Sequence, residues 1–419
     1  MPLLTCGPRF AIHVGVDRVA PQVPKEKAYL VNRLLIVATA PVIEQGATLR
    51  LDVKFVEGMR AHCAHWPGPV RCILRRGAET VPFGASYDPE TLGFDLALLN
   101  PEDVIGAMQL DGVAAVFAAA DDADALGLVD VARAAGARIV YSLEYTLETR
   151  LQIVRMDSAR GAARRAWSML WNLRQERRRV AALRAADGVQ ANGYPAYDAY
   201  RDVNPHTMMY IDGRMTPALM ATRAEMAARR SHLVQGGPLR LIHSGRLEPM
   251  KGAQDLLAVM AALRAAGVRA TLDIFGAGSL RASTAEAAAA FGGAVTLHDP
   301  VDFETRLVPL SRRTADIFLS CHRQSDPSCS YIEAMGCGLA VAGYGNRMWT
   351  RMQAESGAGV MAPLGDVAAL AAAIAALDRD RPTLADACDR SLAFAKAHDF
   401  PTEFARRMDH LRAITLPAG

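Results

Sequence analysis

The chain has 419 residues, which is too long for one ordinary hydrophobic core and indicates two domains. Hydrophobic residues make up 51% of it and charged residues 22%, a profile that excludes a disordered or fibrous protein. The formal net charge of +3 is small for this length, so we expect no nucleic-acid partner.

The cysteines and the lengths of the apolar runs indicate the cellular compartment of the protein. Its 7 cysteines are scattered and lack the spacing of a zinc site, which is typical of reduced thiols in the cytosol. No run approaches about 18 uninterrupted apolar residues, so no membrane-spanning helix is predicted. Residues 1–16 also lack the pattern of a secretory leader. We therefore expect a cytoplasmic protein.

The first half of the chain alternates between strand-like and helix-like segments. Residues 1–32 have no clear period, and a loop containing Gly46 follows the first strand. Helices are predicted at 53–66, in an alanine-rich segment ending at Gly136, and in a basic segment at 158–186. Strands are predicted at 34–37, 70–74, 113–117, 138–143, 188–190 and 208–211. This alternation predicts a parallel sheet with helical crossovers.

The same alternation restarts after residues 213–238, which contain Gly236-Gly237-Pro238 and are predicted to be a linker. Strands are predicted at 239–243, 271–275, 295–297, 317–320, 339–342 and 360–361, and the final helices at 367–377, 383–397 and 402–414. The predicted fold is α/β, with two tandem doubly wound Rossmann-like domains and a cleft between them. The predicted boundaries are 1–212, the linker 213–238, a second domain 239–400, and a helix within 401–419 that crosses back.

Chemically distinctive residues follow three strands of the second half, at the strand ends where open parallel sheets bind ligands. The first group is Gly245-Arg246-Leu247-Glu248-Pro249-Met250-Lys251-Gly252. Its two cations, five residues apart in a turn that opens a helix, suit an anion such as a diphosphate. An exposed basic turn without a ligand is the alternative.

The second group is Phe275-Gly276-Ala277-Gly278, where a strand turns into a helix. Gly276 and Gly278 let the backbone approach a ligand closely. Arg281 occupies the position of the third glycine of the dinucleotide fingerprint, so nicotinamide binding is not indicated. A tight turn without a ligand would need the same glycines.

The third group runs from Ser325 to Gly338. The small residues at 328–330 leave backbone N–H groups for an anion or for sugar hydroxyls. Asp326 can accept hydrogen bonds from a sugar, and Glu333 can accept them from a ribose diol. The alternative is structural, since Ser330 and Glu333 have the spacing of a capping box.

The order and intervals of the three groups resemble the donor domain of retaining glycosyltransferases of the GT-B fold, family 4 (glycosyl transferase group 1). That family carries a Gly-Arg-Leu-x-x-x-Lys-Gly loop, a Gly-x-Gly turn and an acidic loop ending in Glu-Ala-Met-x-x-Gly. These correspond to residues 245–252, 276–278 and 333–338. The resemblance is specific over 239–380, and over the first domain it concerns topology only.

The resemblance implies roles for the matching residues. The catalytic residues would be Arg246 and Lys251, which hold the donor diphosphate and stabilise the leaving group, with Asp326 near the sugar. No metal or other cofactor is expected, because cations and a helix end take over the electrostatic part of a metal. The acceptor side would include Gly46. The donor-binding residues would be Gly245, Gly276, Gly278, Ser328, Cys329, Ser330, Tyr331 and Glu333, the last holding the ribose.

Two positions depart from the family. Its glutamate eight residues before Glu333 is replaced by Ser325, and Asp326 stands one position later. Many relatives also carry a histidine after the strand that corresponds to 138–143, where this chain has Glu144. A carboxylate there can stabilise positive charge on the sugar or bind an acceptor hydroxyl, and a structural role is the alternative.

The basic segment from Arg155 to Arg184 holds nine arginines against Asp157 and Glu176. One of its faces is apolar, so the segment suits an anionic membrane surface; a helix packed on the sheet with a solvated arginine face is the alternative. The apolar residues are Ala163, Ala166, Trp167, Leu170 and Leu173, with Trp171 beside them.

Two polar clusters are given structural interpretations. The run Asp121-Asp122-Ala123-Asp124 is interpreted as charge at the start of the alanine-rich helix. His62, Cys63 and His65 are interpreted as packing or acceptor-side residues, since His62 and Cys63 lie on different helical faces.

The sequence therefore predicts a retaining glycosyltransferase that takes a sugar from a nucleotide-sugar, with a UDP-sugar favoured. The acceptor would be a saccharide or a lipid-linked saccharide, and the protein would lie in the cytoplasm or peripherally on the inner membrane face. Two alternatives remain: a nucleotide-sugar epimerase on the same fold, and a binding protein with degenerate chemistry.

Overall fold

The computed structural model describes residues 32–81, 84–157, 161–325 and 327–416. They form two domains, each built on a parallel sheet with helices on both faces. Buried apolar side chains form a core cluster on each face of each sheet. The predicted α/β class with two Rossmann-like domains is confirmed.

The first domain contains a seven-stranded sheet in the order β10-β9-β8-β7-β1-β4-β6. Its strands are β1 Arg33–Val37, β4 Val70–Arg75, β6 Asp95–Leu99, β7 Val113–Ala119, β8 Arg138–Leu143, β9 Gly188–Asn192 and β10 Thr207–Tyr210. The helices are α1 Val53–His65, α2 Leu128–Ala134, α3 Leu147–Met156, α4 Ala162–Ala185 and α5 Gly193–Tyr200. The strand order reverses at β1, which pairs with β7 on one side and β4 on the other.

A small antiparallel sheet interrupts this pattern and was not predicted. It consists of β2 Val42–Gln45, β3 Thr48–Asp52 and β5 Gly84–Tyr87. Gly46 lies in the turn between β2 and β3 with a φ of 63°, a conformation that favours glycine. The loop expected around Gly46 is therefore the tip of a hairpin, and Asp52 at its end caps α1.

The second domain contains a six-stranded sheet in the order β13-β12-β11-β14-β15-β16. Its strands are β11 Leu239–Ser244, β12 Ala270–Phe275, β13 Val295–His298, β14 Ile317–Ser320, β15 Ala340–Tyr344 and β16 Gly359–Ala362. The helices from this part of the chain are α6 Arg223–Val234, α7 Leu256–Ala265, α8 Arg281–Ala288, α9 Val308–Thr314, α10 Ser330–Gly336, α11 Arg347–Ser356, α12 Val367–Arg379, α13 Arg381–Ala397 and α14 Phe400–Thr415.

The chain crosses between the domains twice. The first crossing lies within the predicted linker 213–238, whose later part forms α6 and buries Arg229 against carbonyls of the second domain. The second crossing leads into α14, which packs its apolar side on the first domain. The two crossings touch, because the N–H of Phe400 donates to the carbonyl of Met215 at 2.8 Å.

Among the described residues, the basic helix predicted at 158–186 is α4, Ala162–Ala185, whereas α3, which precedes it, was not predicted. The described residues form α3 and α4, which pack against each other.

The interpretation of residues 121–124 as helix-start charge is wrong for Asp121. That carboxylate accepts the N–H groups of Glu144 and Tyr145 at 2.7 and 3.2 Å and pairs with Arg150. It anchors the loop after β8, a long-range role that its local sequence does not indicate.

Candidate active site

The first and third groups of distinctive residues come together at one point of the second sheet. β11 pairs with both β12 and β14, so the strand order reverses there. Such a switch point leaves a crevice beyond the strand ends, where open α/β sheets bind ligands. The Gly245–Gly252 loop follows β11 and the 321–330 segment follows β14, so both border this crevice.

The Gly245–Gly252 loop is held against the segment after β14. Gly252 has a φ of 69°, and a Cβ atom on it would lie 1.7 Å from the carbonyl oxygen of Cys321. The N–H of Arg323 donates to the carbonyl of Met250 at 3.2 Å. Only glycine therefore permits this approach of the two backbones, which brings Lys251 beside the second loop.

Lys251 lies next to a histidine that the sequence analysis did not single out. Its Nζ is 2.8 Å from Nε2 of His322, and His322 is buried. An ammonium group only donates, so at this contact His322 accepts through Nε2. Arg246, by contrast, is exposed at the start of the loop. The loop therefore presents one fixed and one solvated cation.

The Gly-x-Gly turn supports the same loop. A Cβ atom on Gly276 would lie 2.0 Å from the carbonyl oxygen of Gly245, and one on Gly278 would lie 2.5 Å from that of Leu247. The N–H of Gly245 donates to the carbonyl of Phe275 at 3.0 Å, and that of Leu247 to Ala277 at 2.9 Å. These glycines bring two backbones together and so set the position of the cationic loop.

The alternative capping box of Ser330 and Glu333 does not form. No side chain of the described residues caps α10, and Oγ of Ser330 lies 2.8 Å from Oγ of Ser328. The carboxylate of Glu333 accepts from Nε of Arg214 at 2.7 Å. Arg214 also stacks over the ring of Phe303, 3.7 Å from its centroid. Arg214, a residue of the first crossing, therefore fixes the carboxylate of Glu333.

Tyr331 and Cys329, which were also predicted to bind the donor, differ in their burial. Tyr331 is buried, and its hydroxyl contacts Asn346 at 2.8 Å and Ser320 at 3.2 Å, so its ring belongs to the core. Cys329 is half-buried, and burial raises the pKa of its thiol, which keeps it protonated. Asp326, predicted to be near the sugar, lies outside the described residues.

The first domain has a cavity of about 350 Å³ at its own switch point, beyond the ends of β1, β7 and β8. Most of its walls are small or apolar, and its hydroxyl groups come from Thr39 and Ser142. Glu144 follows β8 and is half-buried, with its N–H fixed to Asp121. Gly46 is exposed in the hairpin turn and is absent from the walls of this cavity.

His62 and the neighbouring polar residues of α1 have a packing role. The His62 ring lies 4.9 Å from that of Phe404 in α14, and its Nδ1 is 2.8 Å from the carbonyl of Gly58. The described part of the chain contains no group of three or more His, Cys, Asp or Glu residues that could hold a metal ion. Within the same residues, no helix is long and apolar enough to cross a membrane.

Comparisons with known proteins agree with this geometry. Residues 238–380 match the family described as "Glycosyl transferases group 1", and this range includes all three groups of distinctive residues. The second domain is a glycosyltransferase domain. The enzyme class predicted from the sequence is confirmed. The chain matches no curated protein sequence.

The solved structures similar to this glycosyltransferase establish its fold. HepE of Anabaena in complex with UDP is 15% identical with a TM-score of 0.63, covering 91% of this chain and 100% of HepE. Sucrose-phosphate synthase from Thermosynechococcus elongatus is 18% identical with a TM-score of 0.61, and the match covers 91% of this chain and 98% of the synthase. WaaG, a glycosyltransferase involved in lipopolysaccharide biosynthesis, is 12% identical with a TM-score of 0.54, and the match covers 92% of this chain and 100% of WaaG. The two-domain GT-B architecture is therefore confirmed.

Beneath the cationic loop of the glycosyltransferase domain, the buried His243 is expected to make the free energy of unfolding depend on pH. It is buried in β11, its Nδ1 donates to the carbonyl of Leu319 at 2.9 Å, and burial lowers its pKa to about 4. The unfolded chain binds the proton near pH 6.5 while the folded chain does not. The free energy of unfolding therefore decreases as the pH falls from about 6.5 toward 4, by up to about 3 kcal/mol.

Urea unfolding at pH 7 and pH 4.5 measures this dependence. His243→Asn keeps a donor for Leu319 and removes the titration, so its loss of stability between the two pH values should be smaller than in the wild type. His206→Asn, at an exposed position, is the control. An unchanged loss of stability in His243→Asn would contradict the assignment.

Proposed function

We propose that the protein is a retaining glycosyltransferase that moves a sugar from a UDP-sugar to a saccharide or lipid-linked acceptor. The observation that carries the proposal is the meeting of the Lys251 loop with the segment after β14, at the switch point of a glycosyltransferase domain. The similar HepE structure was solved with UDP and with UDP-glucose, which favours UDP as the nucleotide.

The donor diphosphate would bind between the two cations of the loop. Arg246 is exposed to the cleft solvent and can close onto a phosphate, while Lys251 is already positioned beside His322. Positive charge placed where the leaving group becomes negative lowers the barrier without a metal ion. We therefore propose that the reaction is metal-independent.

The nucleoside and the sugar would lie along the segment that leads into α10. A carboxylate oxygen can accept more than one hydrogen bond, so Glu333 can bind Arg214 and a ribose hydroxyl together. Ser328, Cys329 and Ser330 stand at the helix start, where backbone N–H groups suit sugar and phosphate oxygens.

Retention requires the acceptor oxygen to attack from the face that the diphosphate leaves. The bond from the acceptor oxygen to the anomeric carbon forms as the bond to the phosphate oxygen breaks, and the acceptor proton passes to that phosphate. Glu144, at the acceptor side, would stabilise the positive charge that develops on the sugar or hold the acceptor hydroxyl.

The test of this function combines binding and turnover. A panel of UDP- and GDP-sugars is screened for thermal stabilisation, since a ligand at about 100 times its Kd adds about 2.7 kcal/mol. UDP release from the stabilising sugars is then followed with and without EDTA. We expect UDP release that EDTA does not abolish. Stabilisation without any turnover would favour a binding protein, and restoration by Mg²⁺ or Mn²⁺ after EDTA would refute metal independence.

We also propose that α4 places the enzyme on an anionic membrane surface. Its polar residues Ser168, Asn172 and Gln175 are buried, whereas Trp167 is 65% and Leu170 is 66% exposed. Exposed arginines flank these apolar side chains at 164, 174, 177, 178 and 184. This arrangement of apolar and cationic groups matches an interfacial helix.

Liposome co-sedimentation tests this surface. Each arginine near an anionic bilayer contributes about 1 kcal/mol, and the attraction is screened as the Debye length shrinks to about 3 Å at 1 M salt. We expect binding to anionic but not neutral vesicles, lost at high salt and weakened by Trp167→Ala. Met108→Ala, at an apolar position that is 85% exposed elsewhere in the first domain, is the matched control. Binding that ignores lipid charge would contradict the proposal.

A further inference from the structure

The loop that leads into α10 is held by the other domain. The hydroxyl of Thr149 in α3 donates to the carbonyl of Ser325 at 2.8 Å, and the N–H of Ser325 donates to Oε1 of Gln152 at 3.2 Å. Thr149 is 0% and Ser325 is 3% exposed, so the first bond is fully shielded from water. Two side chains of the first domain therefore fix both backbone groups of one residue in the second.

A second contact from the first domain lies two residues further along. A Cβ atom on Gly193, at the start of α5, would lie 2.7 Å from Cβ of Pro327. The backbone of α5 thus abuts the loop at Pro327 while α3 bonds it at Ser325. The position of this loop depends on both domains being together.

The segment that bears Thr149 is itself rigid. Oγ1 of Thr146 caps α3 by accepting the N–H of Thr149 at 3.1 Å, and the two hydroxyl oxygens are 3.0 Å apart. The preceding residues, Glu144 and Tyr145, are fixed by their N–H groups to Asp121 after β7. One short segment therefore joins the acceptor-side carboxylate to the loop of the donor domain.

We propose that Thr149 is a positioning residue that sets the backbone of the sugar-binding loop through Ser325, and so couples it to the acceptor side of the cleft. The proposal rests on the proposed function. Ser325 is short, and its Oγ accepts the N–H of Arg347 at 3.4 Å, so its backbone is the part that the first domain holds. A misplacement of about 1 Å in such a loop lowers the rate by up to about a hundredfold.

Other contacts between the domains do not explain this role. Glu148 pairs with Arg347 at 2.6 Å and Asp198 with Arg351 at 3.5 Å, but these ion pairs are largely exposed. Exposed pairs contribute little and are screened by salt. They align the surfaces of α3, α5 and α11, whereas the bond of Thr149 reaches the loop itself.

The experiment compares Thr149→Val, which removes the hydroxyl at nearly constant shape, with Thr149→Ser, which retains it. The probe is UDP release, with water as acceptor, from the UDP-sugar that the wild type hydrolyses fastest. We expect Thr149→Val to lower kcat about tenfold while the Kd for UDP changes less than about twofold, and Thr149→Ser to recover most of the rate. Thr415→Val is the control, because the buried Thr415 hydroxyl also donates to a backbone carbonyl, that of Leu411, at 2.6 Å.

Amide hydrogen exchange of peptides that include Ser325 gives a readout without substrate. Exchange should accelerate in Thr149→Val and stay at the wild-type rate in Thr149→Ser and Thr415→Val. The inference would be overturned if Thr149→Val kept the wild-type kcat and the wild-type amide exchange. It would also be overturned if Thr149→Ser lost as much kcat as Thr149→Val. If the wild type releases no UDP from any sugar, the proposed function fails, while the exchange data still decide the role of Thr149.

Discussion

Lys251→Ala should lower the rate of sugar transfer by about a hundredfold or more, because removing one electrostatic donor to a developing anion typically costs that much. The side chain is half-exposed, with Nζ 2.8 Å from Nε2 of His322, so its removal leaves no large cavity. The fold should therefore survive. UDP release from the UDP-sugar that the wild type uses, together with thermal unfolding, measures both effects.

Lys396→Ala is the control for Lys251→Ala, since Lys396 is exposed on α13. It should retain full activity and stability. A folded Lys251→Ala with wild-type turnover would remove Lys251 from the proposed chemistry, and an unfolded variant would make its role structural.

Gly252→Ala should abolish nearly all activity and destabilise the protein. Alanine at a φ of 69° is strained, and its Cβ would lie 1.7 Å from the carbonyl oxygen of Cys321, so the loop has to move. The strain and the overpacking together should cost about 3 kcal/mol. A displacement of about 1 Å would reduce turnover about a hundredfold. Urea unfolding and UDP release measure the two losses.

Gly267→Ala separates backbone strain from the clash. Gly267 has a φ of 76° and no atom within 4 Å of the position of a Cβ, so alanine there introduces the strain alone. We expect a small loss of stability and normal turnover in this control. Equal losses of turnover in both variants would show that contact with Cys321 is not what places Lys251.

The fold could be predicted because it repeats one pattern. Apolar strands such as 34–37 and 239–243 alternate with helices, and right-handed crossovers turn that alternation into parallel sheets. The hairpin around Gly46 was missed because its two strands have only 4 and 5 residues, although apolar and polar side chains alternate in β3. Helix α3, at Leu147–Met156, was not predicted, whereas the basic segment 158–186 was predicted as a helix and forms α4.

The candidate site was predictable only where its residues are adjacent in sequence. The cationic loop and the Gly-x-Gly turn are local motifs, and the structure brings them into contact. Arg214, His322 and Thr149 carry no local signal, since each acts through a partner that the fold supplies. The capping box at Ser330 failed for the same reason, because Arg214 competes for Glu333 over a separation of 119 residues.

The double crossing between the domains has a mechanical consequence. A single connection would let the two halves swing, twist and slide, whereas two connections side by side leave one easy motion, bending about the line that joins them. The bond from Phe400 to Met215 holds these two connections together. The two domains can then move apart and close again by a hinge motion, while their facing surfaces keep the same alignment. With the proposed function, a donor bound to the second domain would meet the same position on the first domain at every closure.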